Sequence, residues 1–473
     1  CDNDASNDCV QDCAGAWGGD DSTCLDACGV PNGDGSSCDC NGVVGGSSTV
    51  GVCGECVGQI GLDIDGLAAG DESGHSVSLS ADGTVMAIGA PGDFLDKKGY
   101  VRIYERDIAG WTLISNIDVE DTDDNNGWSV SLSHNGTIVA IGAYSHLFHN
   151  VRIYERGSAG WTLIGDIDGG AQGDNNGYSV SLSANGEIVA IGAPEINSGA
   201  AFGRVRVFQR DGAWTQLGGD IVGEARSDYS AKSVSLSANG MIVAIGAHGN
   251  GAGNSNDSPG HVRVYQRDET VDLGWTQLGG DIDGEGTGDN SGSSVSLSHT
   301  GTIVAIGAHG NGYGGTLDSP GHVRVYQRDE TVDLGWTPLG GDIDGGDDDK
   351  SGRSVSLSAD GSVVAIGAPG HGSKGQVRAF RRDEDVTLGW TKISDIDGAA
   401  GGDQSGVSVS LSGDGTMVAI GAPWHDMMKG HVRVYSLPSD SCVDACGVVN
   451  GDDSTCLDCA AVPNGDDGPH TLT

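Results

Sequence analysis

The chain is poor in several things that narrow its class. Cysteine is absent from residues 57–441, although the 473-residue sequence has 13 of them. Lysine and arginine number 24 against 67 acidic residues, giving a net charge of −43. So acidic a surface repels nucleic-acid phosphates and anionic lipid and attracts cations, which excludes nucleic acid as a partner class. No apolar run is long enough to span a bilayer as a helix, so no membrane span is expected. Aromatic residues make up only 5% and proline 11 residues, whereas glycine reaches 83. Turn-rich, with 37% hydrophobic residues in short runs, the chain reads as folded β structure and not as disorder.

What fills the cysteine-free stretch is a repeat. SVSLS, a short polar turn and VAIGA recur, with the valine of SVSLS at Val77, Val130, Val180, Val234, Val295, Val355 and Val409. Seven copies at a spacing of 50 to 61 residues point to a propeller, solenoid or array. SVSLS alternates, as a half-buried strand does. The Ala-Asn-Gly type of turn makes a hairpin into VAIGA, which is apolar throughout and suits a strand covered on both faces. HVRVYQR supplies a third strand and WTQLGGDIDG a fourth, and four antiparallel strands per copy make a propeller blade. Pro338 in the fourth strand removes a ladder donor, which puts that strand at the outer edge and SVSLS at the crowded centre.

The expected fold is therefore all-β, a seven-bladed propeller over residues 58–437, with cysteine-rich modules at 1–57 and 438–473. The last copy ends after its third strand at Ser436, while GQIGLDIDG at 58–66 matches a fourth strand. The N-terminal strand should therefore complete the last blade and remove the open edge. Nine cysteines precede residue 57 and four follow residue 441, which reads as two disulfide-stapled ends of a secreted or cell-surface protein. The units Cys13 to Cys24, Cys28 to Cys38 and Cys446 to Cys456 each enclose Gly-Asp or Asn-Gly turns suited to a short hairpin closed by a local disulfide. Zinc held by Cys38, Cys40, Cys53 and Cys56 is the alternative for part of this set. An odd total leaves one thiol free or bonded to another chain.

Several recurring side chains could be structural or functional. Trp111, Trp161, Trp214, Trp275, Trp336 and Trp390 open fourth strands and are expected to fill the space between blades. Arg102, Arg152, Arg206, Arg263, Arg324, Arg378 and Arg433 occupy third strands, near an Asp-Ile-Asp motif such as Asp281 with Asp283 or Asp166 with Asp168. Cross-strand ion pairs are one reading of that motif. Calcium is the other, with Asp166, Asp168 and Asp174, or Asp281, Asp283 and Asp289, as candidate ligands; the spacing lacks the dense oxygen alternation of a calcium loop. His248, His309, His371 and His425 follow Gly-Ala in loops without a fixed nucleophile or acid partner, so no enzyme is expected. The sequons at Asn135 and Asn256 permit N-glycosylation.

Gly177 to Phe208, GYSVSLSANGEIVAIGAPEINSGAAFGRVRVF, resembles the FG-GAP type of propeller repeat. The likeness extends over residues 58–437. FG-GAP blades often carry a D-x-D-x-DG calcium loop between their first two strands; here a short turn stands in that place, so family calcium sites do not carry over. The ends resemble the CGV-x-NGD-x-S-x-C repeats of large extracellular proteins, including surface and flagellar-hair proteins of algae and protists. Two functions follow as expectations. One is a secreted structural subunit that assembles head-to-tail with itself into an extracellular filament or matrix. The other is an extracellular module that binds a glycan, peptide or cation through its loops.

Overall fold

The computed structural model describes residues 49–50, 56–92, 98–107, 110–118, 125–143, 150–169, 175–194, 202–249, 259–268, 270, 274–310, 320–329, 335–383 and 389–438. Contacts divide the chain into two units. One comprises residues 1–62, 107–111 and 438–473; the other, residues 63–106 and 112–437, is a seven-bladed β-propeller. In the first unit, Thr49–Val50 pairs antiparallel with the strand Cys56–Gln59. Cys13, Cys24, Cys28, Cys38, Cys446, Cys456 and Asn256 lie outside the described residues.

Blade 6 shows the plan: Ser354–Leu357, Val363–Ala368, Gln376–Arg382 and Trp390–Asp397 form one antiparallel sheet in chain order. Pro338 sits in Trp336–Pro338, the outer strand of blade 5. Blade 7 takes its fourth strand from the start of the propeller, with Ile64 opposite Val432 and Asp65 opposite His431. The sequence pattern suggests unbroken fourth strands, but those of blades 3, 4 and 5 run in two pieces, as in Trp275–Gln277 and Ile282–Asp283. Their Gly-Gly-Asp carries one residue more than Gly-Asp in blade 2. Gly279 takes up the extra length at φ 74°, a conformation that breaks the ladder.

SVSLS is held by its three serines, each with a separate task in every blade. The first donates to a backbone carbonyl of the next blade, as Ser129 Oγ does to Gly177 O at 2.8 Å and Ser408 Oγ to Gly74 O at 2.7 Å. The second accepts from the next blade's leucine amide: Ser78 Oγ from Leu132 N at 3.0 Å, Ser296 Oγ from Leu357 N at 3.0 Å, Ser410 Oγ from Leu79 N at 2.9 Å. The third caps its own hairpin, as Ser133 Oγ does by accepting from Ile138 N at 2.9 Å. Below them the hairpin turns close a ring of backbone bonds from Ala81 through His134, Ala184, Ala238, His299, Ala359 and Gly413 back to Ala81. The hydroxyls satisfy inner-strand polar groups at a radius too small for larger side chains.

The apolar core lies in the seams. Ile242, Ala244, Val262 and Val264 of blade 4 pack on Val295, Leu297, Val304 and Ile306 of blade 5, and the other seams repeat this set. Trp336 lies against the same cluster and its indole donates to Leu278 O of the preceding blade at 2.9 Å. Trp214, Trp275 and Trp390 do likewise. The VAIGA glycine permits the seam to close, because a Cβ on Gly142 would stand 2.1 Å from Gly177 O.

Two changes test this account. Ser296→Ala removes the acceptor of the buried Leu357 amide, and about 1–3 kcal/mol of stability should be lost in urea unfolding. Ala231 holds φ 74° where the other blades have glycine, for example Gly292 at 83°. Ala231→Gly should therefore raise stability by about 0.5–1 kcal/mol, and an unchanged or lower urea midpoint would refute the strain at this site.

Candidate functional site at the channel mouth

In five blades the turn into the inner strand follows a buried aspartate, Asp71, Asp228, Asp289, Asp349 or Asp403. Asp289 Oδ2 accepts from Gly286 N at 2.7 Å, Asp349 Oδ2 from Gly346 N at 2.7 Å and Asp403 Oδ2 from Ala400 N at 2.7 Å. The next residue is left-handed in every blade: Glu72, Asn125, Asn175, Tyr229, Asn290, Lys350 and Gln404 have φ between 39° and 55°. Its carbonyl accepts from the amide three residues on, as in His75 N to Glu72 O at 3.0 Å and Arg353 N to Lys350 O at 3.2 Å. Such backbone is costly for residues other than glycine and asparagine, and such outliers gather at functional sites.

The residue three positions after this left-handed one immediately precedes SVSLS. Around the ring it is His75, Trp128, Tyr178, Lys232, Ser293, Arg353 and Val407, different in every blade although the serine beside it never changes. His75, Trp128, Arg353 and Val407 of this set line the mouth of the channel. A cavity of about 480 Å³ there is lined from five blades, among others by His75, Trp128, His309, Lys350, Arg353 and Trp424. One side is aromatic: the rings of His75 and Trp128 have centroids 4.3 Å apart, and Tyr178 lies 5.5 Å beyond Trp128. Lys232 Nζ sits 4.2 Å above the Tyr178 ring. The other side carries the Lys350 and Arg353 cations.

Local charge at the mouth runs against that of the whole chain. Burial first, then the Lys232 and Arg353 charges, hold His248 down to about 3. Burial and Arg353 bring His309 to about 3, and burial takes His75 to about 4 with Arg353 adding to it. The three imidazoles are neutral at physiological pH, and the charged groups lining the cavity are Lys350, Arg353 and the Glu72 carboxylate, a net positive set. At the opposite hairpin turns, His134 and His299 meet edge to face with centroids 4.8 Å apart.

The residues singled out from sequence are placed as follows. Asp166 lies 4.0 Å from Arg152 Nε on the neighbouring strand. Other third-strand arginines reach across the seam: Arg206 donates to Asp168 O at 2.7 Å, Arg324 to Asp283 O at 2.7 Å and Arg378 to Asp344 O at 2.9 Å. They bind carbonyls of the preceding blade's Asp-Ile-Asp, where sequence alone suggests pairs within the hairpin. Arg263, expected near Asp281, pairs with Glu224 at 3.3 Å, and Glu224 in turn lies within 4.8 Å of Asp281. Asp281 is within reach of Glu224 and His261, whereas Asp166, Asp168, Asp283 and Asp289 join no cluster of three metal-ligating groups among the described residues. Asp289 is the turn cap described above, and Asp174 lies outside the described residues. Asn135 is exposed in its hairpin, its Oδ1 accepting from Ser133 Oγ at 2.8 Å and Thr137 Oγ1 at 2.7 Å.

Two histidines read from sequence as partnerless have acid partners. His371 Nδ1 lies 2.8 Å from Asp349 Oδ1, and His425 Nδ1 lies 2.8 Å from Asp403 Oδ1. Sequence reasoning passed over the mouth ring itself. Its signal was legible as the position before SVSLS, the column in which all seven repeats differ.

No protein-family model and no curated protein matches the chain. Among solved structures it is similar to a chain of the hydrazine synthase of Kuenenia stuttgartiensis, with TM-score 0.50 and 12% identity over 75% of this chain and 93% of that one. It is also similar to a periplasmic gluconolactonase of Pseudomonas aeruginosa, with TM-score 0.47 and 14% identity over 69% of this chain and 86% of that one. The likeness is one of fold. It corrects one expectation from sequence, that the chain is no enzyme: a protein named as an enzyme carries this architecture, and the missing linear motif is no guide. In a propeller, side chains from distant blades meet at one mouth, so a site leaves no contiguous signature.

The depressed histidines set a pH dependence. The unfolded chain takes up protons near pH 6.5, the folded mouth only near 3 to 4. Stability should therefore be level above about pH 7 and fall as pH drops from about 6.5 toward 4.5. Urea midpoints across that window check this, and a His248→Gln, His309→Gln double variant should show a shallower fall.

Proposed function

We propose that the propeller is an extracellular recognition module whose channel mouth binds an anionic saccharide, a chain bearing uronate or sulfate groups. The observation that carries this reading is the mouth ring: seven positions in one register, constant in backbone and different in side chain, with aromatic faces on one side and cations on the other. Lys232, Lys350 and Arg353 gather there in a chain with only 24 basic residues and a net charge of −43. Aromatic faces stack on the apolar face of a sugar ring, while the guanidinium and ammonium groups take its carboxylate or sulfate. The acidic remainder of the surface repels other polyanions and restricts binding to the mouth. The likeness of the repeats to FG-GAP blades, and of the ends to surface proteins of algae and protists, supports an extracellular setting. The self-assembled filament draws on cysteine-rich ends outside the described residues; the present reading rests on the mouth.

Calorimetry with polyglucuronate, a sulfated galactan and neutral dextran tests it. The two polyanions should bind with an affinity that falls as salt rises, and dextran should not bind. Arg353→Gln should weaken binding roughly 10- to 100-fold, the loss of one charge-assisted hydrogen bond, and Trp128→Ala should weaken it by about 3- to 10-fold. Equal binding of neutral and anionic chains, or an Arg353→Gln variant indistinguishable from the parent, would end the proposal.

A further inference from the structure

A second cluster lies at the seam where the closing strand meets blade 7. His431 opens the third strand of that blade and is fully buried, yet neither ring nitrogen makes a hydrogen bond. Asp63 Oδ2 stands 3.8 Å from its Nδ1. Burying an imidazole without partners is costly, and ordinary packing would favour an apolar side chain there. The His425 ring stacks on it with centroids 4.1 Å apart.

His425 is presented by a strained turn. Asp426, Met427 and Met428 follow it with φ of 45°, 56° and 61°, three consecutive L-residues in the left-handed region. The turn is closed by Gly430 N donating to His425 O at 3.0 Å and is tied to the incoming chain by Glu72 N donating to Met428 O at 2.7 Å. Asp403, whose side chain is 2% exposed, accepts a hydrogen bond from Nδ1–H of His425 at 2.8 Å, which fixes the tautomer and leaves Nε2 as the ligating atom. The third member is Asp65, paired in register with His431 across the closing ladder. One ligand atom from each of Asp65, His425 and His431 lies within 4.8 Å of the others. Lys429 Nζ donates to Asp65 Oδ2 at 3.1 Å and competes for that carboxylate.

We propose that Asp65, His425 and His431 form a site for a divalent transition-metal ion of the Zn2+ type, with Asp403 as the outer carboxylate that orients His425. Two imidazoles and one carboxylate are a borderline donor set that suits zinc or cobalt and disfavours calcium or magnesium, which prefer oxygen throughout. A carboxylate on the far nitrogen of a ligating histidine is the usual companion of such sites. Blade 4 supplies an internal contrast. Its His261, Glu224 and Asp281 also lie within 4.8 Å of one another but include a single imidazole. An ion at the blade 7 site would join the closing strand to the last blade, so binding would stabilise the ring closure.

The test uses the full chain, freed of metal by chelation and titrated with Zn2+ and with Co2+. The cysteines are separated from this site by spectrum, because cobalt on nitrogen and oxygen lacks the thiolate charge-transfer band. The expected result is one equivalent of Co2+ with a visible d–d band and no thiolate band, and a rise in Tm with Zn2+ but not with Ca2+. His425→Ala and Asp65→Asn should lose that equivalent or weaken it at least tenfold while keeping the parent's circular dichroism in chelator. Lys429→Met should tighten binding, and His261→Gln should leave it unchanged. A parent with no thiolate-free Co2+ band, or a folded His425→Ala that binds as the parent does, would overturn the proposal.

Discussion

Everything in the propeller depends on how seven inner strands satisfy their polar groups where they crowd together. At that radius there is room for a hydroxyl and little else. Serine alternating with valine and leucine meets the need, because one side chain donates to the next blade, one accepts from it and one closes the hairpin. The same pattern repeats from blade 7 to blade 1, and Ser408 and Ser410 close the ring. The glycine of VAIGA follows from this closeness, since the neighbouring blade's backbone occupies the space a Cβ would need.

Because the ring is built from serines and backbone that repeat in every blade, it does not depend on the residue just ahead of SVSLS, although His75 adds a bond of its own to Trp128 O. The preceding turn is fixed by its aspartate cap and its own backbone bond. A side chain can therefore change from histidine to tryptophan to arginine there without disturbing the blade. The ring-forming serine and the variable position are adjacent along the chain. In four blades the left-handed residue, Glu72, Asn290, Lys350 or Gln404, places a second side chain on the cavity lining. Desolvation keeps the surrounding histidines neutral, and Lys350 and Arg353 outnumber the single Glu72 carboxylate in the cavity lining, inside a strongly acidic protein.

Much of the fold was legible in the sequence because its signals are local and repeated. Blade number, strand order, the outer position of Pro338 and the closure of blade 7 by residues near Ile64 all rest on periodicity or on one residue's chemistry. The broken fourth strands were missed because a single extra glycine reads as part of a strand until its φ is known. Arg152 meets Asp166 within its hairpin as expected, but Arg206, Arg324 and Arg378 bond across the seam, for a related reason. Sequence proximity favours the hairpin, whereas the seam places a carbonyl of the preceding blade within 2.7 Å of Arg324. His371 and His425 looked solitary because Asp349 and Asp403 precede them by a whole hairpin.

The sequence by itself determined the repeat, and with it the all-β class, the blade count and the acidic charge, since each is a sum over local pattern. Only the tertiary structure decided which unlike residues meet. His75, Trp128 and Arg353 are separated by up to 278 positions yet line one cavity, and Asp65 faces His431 across the ring closure. The reason is geometric. A closed ring brings the same register of every blade to one axis, and chemistry spread over seven repeats becomes a site only at that axis.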